Sequence, residues 1–251
     1  MRTLAWRLGS FMVLAAAIAA WGEIAALKLI PPLFLPSPAR AFNALIAGLS
    51  RGDLLAKLEG TLTHMAIGWV AASLAGVALG ALIGSSAQAR VYVGPTLEFL
   101  RPLPASAVIP VAIAIFGLTP AMAIGVIAFG SIWPMLLSTV HGFAHVEPRL
   151  VEVARALQMS RLSVVWKIGL PSALPDILAG LRLGLTVALI LAVVCEMIGG
   201  IDGLGQWELV AARAYRSADI FAGVILLGLT GLVANSALTL IEARALLWRA
   251  S

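Results

Sequence analysis

The chain has 251 residues, 61% of them hydrophobic and 12% charged, and a mean hydropathy of +1.02. Globular chains hold roughly 45–50% apolar residues, and a soluble core of this length could not bury the excess, so composition excludes a water-soluble protein. The formal net charge of +5 does not point to nucleic acid, because the basic residues are scattered and form no compact stripe, and one cysteine, Cys195, excludes an intrachain disulfide or a cysteine-cluster metal site.

The first apolar run, 8–27, follows Arg2 and Arg7. A secretory signal with a cleavage site among the alanines at 15–20 is the rival reading, but a run of about 20 residues suits a membrane-spanning helix. The prolines between Ile30 and Pro38 forbid a helix there. Ser37-Pro38 then supplies an N-cap and a first-turn proline, opening an amphipathic helix over 38–49 that lies along the membrane surface. Arg51 to Glu59 reads as a polar hinge and 61–85 as a second span, rich in Gly and Ala so that neighbours can approach. Gln88 to Arg90 reads as a short aqueous turn.

A third span, 99–117, has Pro102, Pro104 and Pro110 within or just before it. A fourth, 120–141, opens on the cap Thr119-Pro120 and contains Trp133 and Pro134. Two proline-interrupted spans in succession point to a translocation path, with Pro104, Pro110, Trp133 and Pro134 as candidate lining; a pair of ordinary kinked helices is the alternative. The fifth span covers 177–198, with Arg182 close enough to its start to reach the interface. A glycine-rich polar loop and a sixth span, 220–240, follow. Glu196 lies near the outer end of the fifth span, where it either bonds the glycine-rich loop or serves an outer gate of the path. Asn235 suits an interhelical hydrogen bond. His64 reads as a packed or hydrogen-bonded residue inside a span, and His141 and His145 as edge residues.

Between the fourth and fifth spans lies the most polar stretch, about 146–175, which must sit in water. Pro148 suits a first helical turn, and Leu150, Val153, Ala154 and Leu157 make one apolar face. That face is expected to anchor the loop to its own membrane domain, with Glu152, Arg155 and Gln158 on the opposite face. Ser160 caps a second helix carrying Leu162, Val165 and Trp166, which Leu170-Pro171 should stop. Six spans put both termini on one side. With the N-terminus inside, that side holds eleven Lys and Arg against six opposite, which places the polar stretch in the cytoplasm. No GxxxxGK[ST] phosphate loop, HExxH or paired aspartate motif is present.

Glu152-Val153-Ala154, three residues, Gln158, nine residues and Ile168-Gly169-Leu170-Pro171 resembles the "EAA" loop of ABC importer permeases. The family pattern is Glu-Ala-Ala, three residues, Gly, nine residues, Ile-x-Leu-Pro. Val153 stands for an alanine and Gln158 for the glycine, so the turn after the first helix is expected to differ, since Gln resists a left-handed conformation. Phe34-Leu35-Pro36-Ser37-Pro38, Phe99-Leu100-Arg101-Pro102-Leu103-Pro104, Leu178-Ala179-Gly180-Leu181-Arg182, Glu196-Met197-Ile198-Gly199 and Gly203-Leu204-Gly205 are similar to the nitrate/sulfonate/taurine/bicarbonate branch.

The resemblance implies an all-α integral membrane fold of six transmembrane helices over a single domain, 1–251, with a cytoplasmic helix-turn-helix coupling loop at about 146–175. Glu152, Val153, Ala154, Arg155, Ala156, Gln158, Met159 and Ser160 would contact an ATPase, supported by Leu150, Leu157, Ile168, Leu170 and Pro171. Implied partners are a second copy of the chain, two ABC ATPase subunits and an extracytoplasmic substrate-binding protein, in a bacterial inner membrane with both termini cytoplasmic. ATP and Mg²⁺ belong to the ATPase and no cofactor to this chain. A stand-alone secondary transporter or channel is the rival, and would need ion-coupling residues such as Glu196 or Glu23.

Overall fold

A computed structural model describes residues 2–247, with side chains from residue 9 onward. Arg249 and the side chains of Arg2 and Arg7, all part of the charge count above, lie outside the described residues. The helices are α1 (Arg2–Ala26), α2 (Pro38–Arg51), α3 (Asp53–Gly84), α4 (Ala87–Leu100), α5 (Ile109–Phe116), α6 (Pro120–Ala144), α7 (Pro148–Ala156), α8 (Arg161–Val164), α9 (Leu170–Gly199), α10 (Leu204–Arg213) and α11 (Ser217–Ala245). A 3₁₀ turn, Ala105–Val108, leads into α5, and a π turn, Val165–Gly169, joins α8 to α9.

Five helical paths are long and apolar enough to cross a bilayer: α1 from Gly9, α3, α6, the continuous run Arg161–Gly199, and α11. The α4–α5 pair, bent by 79°, makes a sixth if it is counted as one span.

Apolar side chains gain little by leaving lipid for a helix interface, so helices in a membrane associate through close fit between small residues. In α3 the residues Gly68, Ala72, Gly76, Gly80 and Gly84 fall four apart, share one face and are all buried. α6 lies directly on that stripe. A Cβ at Gly68 would come within 2.5 Å of Ile127, at Gly80 within 2.5 Å of Thr139, and at Gly84 within 2.6 Å of Phe143. The contacts rise in step along both helices, so α3 and α6 run parallel. α9 packs on α6 in the opposite sense, Gly142 meeting Ala173, Gly130 meeting Leu191 and Gly199 meeting Met122.

Two parallel neighbours require the chain to return between them, and α4–α5 makes that return. Ala105 packs against Gly130, about half way along α6, so the break lies within the bundle. The proline-interrupted segment 99–117 is thus the second half of a bent pair, which begins at Ala87 and turns by 79° between Leu100 and Ala105. Pro102 and Pro104 occupy the break, where no helical N–H is needed, and Pro110 sits in the first turn of α5. Arg101 closes α4 at this break instead of lying on the loop side.

Three other boundaries differ from the sequence expectation. The hinge at 51–59 shrinks to Gly52, whose φ of 85° lets α2 end and α3 begin at Asp53. Gln88 to Arg90 is helical, because Ser86 caps α4 by accepting from the Ala89 N–H, and Arg90 reaches back to the Gly84 carbonyl. The loop 199–217 contains α10, which packs on α9 and α11.

The indole N–H of Trp21 donates to the Pro36 carbonyl at 2.9 Å, and its ring stacks on Phe221, tying the Ala26 end of α1 to the start of α11. Arg182, in the thirteenth position of α9, pairs with Glu242 and ties the far end of α11 to that helix.

The α3 stripe makes a direct prediction. Gly80→Leu should overpack α3 against α6 and cost about 1–3 kcal/mol, read as a fall in Tm of the detergent-purified chain. Gly228→Ala, at a site with nothing within 4 Å of the added carbon, should leave Tm unchanged or slightly higher.

Candidate functional site

Two polar assemblies stand at opposite ends of the α3–α6–α9 slab. The one remote from the 146–175 loop is built around Glu196, which is fully buried. Its Oε2 accepts from the Thr61 hydroxyl at 2.9 Å and from the Gly205 N–H at 2.9 Å, and its Oε1 lies 3.2 Å from His64 Nδ1. Thr61 in turn accepts from the Leu204 N–H at 2.9 Å. A side chain on Gly203 would overlap the Glu196 carboxylate, and one on Gly205 would overlap the Val193 carbonyl. The motif Gly203-Leu204-Gly205 is thus a lid of bare backbone folded over a carboxylate. Lys57 pairs with Asp202 above it. A cavity of about 450 Å³, lined by Glu59, Thr63, His64 and Asp202 among others, opens beside this knot and reaches one face of His64.

Glu196 therefore bonds the loop that follows it, one of the two sequence alternatives. His64 is the hydrogen-bonded span residue expected, but its partner lies 132 positions away and no local pattern announces it. Glu208 was not singled out by sequence. It sits at the fourth position after Leu204 and the third before Ala211, both buried, so helical spacing alone places it on the inner face of α10. It packs on Gly223, and its Oε1 has no hydrogen-bond partner among the described residues. Burial, reinforced by the nearby Glu196 charge, raises its carboxyl from the ordinary 4.5 to about 7.

Of the expected path residues, Pro104 and Pro110 are exposed at the break, while Trp133 and Pro134 are half-buried in α6. Trp133 meets Phe129 edge-on at 5.8 Å. None of the four lines the cavity beside the Glu196 knot. The Asn235 side chain makes no interhelical hydrogen bond among the described residues; it is exposed and borders a cavity of about 240 Å³ with Met65, Thr186 and Leu189. Thr119 precedes α6 as expected, but its hydroxyl donates back to the Phe116 carbonyl and leaves the first helical N–H groups uncapped.

The second assembly is the loop. α7 ends in a Schellman closure: the Met159 N–H donates to the Ala154 carbonyl and the Gln158 N–H to the Arg155 carbonyl, both at 3.0 Å. Gln158 takes φ 48°, so the turn keeps the left-handed form despite the missing glycine, at a cost on the order of 1 kcal/mol. The expectation of an altered turn is corrected. Ser160 caps α8 as expected, accepting from the Ser163 N–H at 3.2 Å.

Leu170-Pro171 does not stop the second helix. The π turn carries the helix through, with the Leu170 N–H reaching the Val165 carbonyl, and Pro171 follows directly as the second residue of α9. Phe143 fills the space over Gly169, and Ala173 meets Gly142, so the loop is bolted to the end of α6.

The apolar face of α7 also lies differently from expectation. Only Ala154 is buried; Leu150 is 40% exposed, Val153 53% and Leu157 68%. Those three project away from the membrane domain instead of anchoring to it. Arg155 and Met159 line the cavity between α7 and the α3–α4 corner, while Glu152, Ala156 and Gln158 are exposed. Of the expected support residues, Ile168 and Leu170 are half-buried and Pro171 is exposed.

A multi-pass helical slab with a rigid two-helix projection defines an integral-membrane transport subunit. Residues 66–246 match the binding-protein-dependent transport system inner membrane components, and the chain belongs to that family. A Bacillus subtilis (strain 168) permease named for aliphatic sulfonates transport, SsuC, is 32% identical over 93% of this chain and 85% of its own. The taurine transport system permease protein TauC of Escherichia coli (strain K12) is 30% identical over 95% and 89% respectively. The fold is similar to that of the inward-facing MetNI methionine ABC transporter, with a TM-score of 0.69 at 20% identity, over 76% of this chain and 95% of that one. The chain is accordingly a multi-pass inner-membrane permease subunit of an ABC importer, a transport component and not a catalytic one.

The buried carboxylates Glu196 and Glu208 generate two expectations. Glu196→Ala leaves the Gly205 N–H and Thr61 hydroxyl without their buried acceptor and should cost roughly 3 kcal/mol or more, read as loss of monodisperse protein or a large fall in Tm. Glu208 binds a proton more tightly folded than unfolded, so its contribution to stability is full below 4.5 and is lost as pH rises toward about 7. The Tm of the wild type should fall across that window relative to Glu208→Gln, which should lack this component.

Proposed function

We propose that this permease moves a small oxyanion or sulfonate-type solute inward, driven by ATPase subunits that grip its 146–175 loop. The observation that carries the reading is the ridge Leu150, Val153 and Leu157, left exposed on a short helix fixed outside the membrane slab. Water would not favour an apolar ridge held so rigidly, and a partner groove would bury it. The ATPase contact then comprises that ridge with Glu152, Ala156 and Gln158 beside it. Arg155, Met159 and Ser160 border it on the side facing the α3–α4 corner.

The assembly is a homodimer of this permease with two ABC ATPase subunits, which bind ATP and Mg²⁺, and an extracytoplasmic protein that delivers the solute. The excess of basic residues on the loop face supports a cytoplasmic loop and cytoplasmic termini. The substrate class rests on relatives named for aliphatic sulfonates, taurine, nitrate and bicarbonate transport.

Val153→Asp combined with Leu157→Asp should leave the amount of permease in the membrane unchanged. Co-purification of the ATPase should be lost, and ATP-dependent uptake should fall at least tenfold. Uptake by the chain alone, driven by an ion gradient without any ATPase, would overturn the proposal, as would normal coupled uptake by the double variant.

A further inference from the structure

Beside the loop lie two cavities that share a wall. One, of about 640 Å³, is a groove between α3 and α8–α9 lined almost wholly by apolar groups, including Leu74, Ala78, Leu82, Leu162, Trp166 and Leu170. The other, of about 710 Å³, lies between α7 and the α3–α4 corner and presents Ser85, Ser86, Gln88, Arg155 and Arg161. Ser85 and Val165 line both, so the apolar groove opens end-on into a basic, polar chamber. We propose that this pair is a binding site for one anionic phospholipid from the leaflet on the loop side, its acyl chain in the groove and its phosphate between Arg155 and Arg161.

Three features select that occupant. The first is length. Along α3 the groove extends from Ser73 to Ser85, about 18 Å at 1.5 Å per residue. One leaflet contributes about half of the ~30 Å hydrocarbon core, or about 15 Å, so a single acyl chain entering from the chamber fills most of the groove.

The second is polarity in the right order. The apolar residues lie at membrane depth on α3, while the polar chamber begins where α3 ends at Gly84. Trp166 is 62% exposed at the junction, where an indole ring is at home between headgroups and hydrocarbon.

The third is charge. Neither Arg155 nor Arg161 is in an ion pair among the described residues, and both border the chamber. Guanidinium groups bind phosphate through charge-assisted, paired hydrogen bonds, and Ser85, Ser86 and Gln88 offer further polar groups. A zwitterionic headgroup would bring its own cation into a chamber that already holds two.

The test uses the full-length chain reconstituted in nanodiscs of mixed phosphatidylglycerol and phosphatidylcholine. After extraction into mild detergent, bound lipid is measured by native mass spectrometry. The wild type should retain about one phosphatidylglycerol per chain and little phosphatidylcholine. Arg155→Gln with Arg161→Gln should reduce retention at least fivefold, and Ala78→Trp, which fills the groove and leaves both arginines intact, should do the same. Equal retention of the two lipids, or retention unchanged in both variants, would overturn the proposal. So would displacement of the lipid by millimolar inorganic phosphate, which would mark the chamber as an anion site without a tail.

A second measurement does not depend on the variants folding. Phosphatidylglycerol with a photoreactive group near the end of its acyl chain should label the peptides carrying Ser73 to Ala78 and Leu181, which line the far end of the groove. Labelling only elsewhere on the chain would overturn the proposal. A photoreactive residue at position 78 that cross-links to a second copy and not to lipid would do so too, because the groove would then be a contact between chains.

Discussion

Close approach between α3 and α6 is the constraint on which the other features depend. Lipid supplies no solvent-driven force to bring these helices together, so contact must come from surfaces that interlock. The repeat of Gly68, Ala72, Gly76, Gly80 and Gly84 removes side chains from one face of α3, and Ile127, Met135, Thr139 and Phe143 occupy the space. From that parallel pairing the broken return through α4 and α5 follows as a matter of topology. The same α6 then presents Gly130 and Gly142 to α9, which runs the other way, so one central helix fixes the two beside it.

The slab also explains where polar groups can exist. At the end remote from the loop, Glu196 is tolerated inside protein because Thr61, His64 and the Gly205 N–H replace water around it, and only glycine at 203 lets backbone come so near. This knot joins α3, α9 and the start of α10. At the loop end, Phe143 over Gly169 does the corresponding work with apolar atoms.

Much of this was legible in the residues. Ser37-Pro38 and Ser160 announced their helix starts, and the glycine-rich composition of the second span announced close packing. The EAA-like spacing located the loop, and Glu196 next to a glycine-rich turn suggested its own acceptor role. Other features were hidden for physical reasons. Hydropathy over 99–117 is the same whether a helix is straight or bent, so the break beside Gly130 could not be read from it. The apolar face of α7 was visible, but periodicity reports that a face exists and not which way it points. Gln158 resists a left-handed turn locally, yet the Schellman hydrogen bonds at Met159 and Gln158 outweigh that preference. The His64–Glu196 contact and the inward position of Glu208 depend on how distant segments meet.

The run from Arg161 to Gly199 is helical without interruption. At 1.5 Å per residue its 39 residues form a rod of about 58 Å, longer than a bilayer is thick. A tilt of roughly five degrees about its middle would swing each tip by about 2.5 Å over that half-length. Ser160 stands at one tip and the Glu196 knot near the other, so a tilt of the run as a whole carries the two polar assemblies in opposite senses.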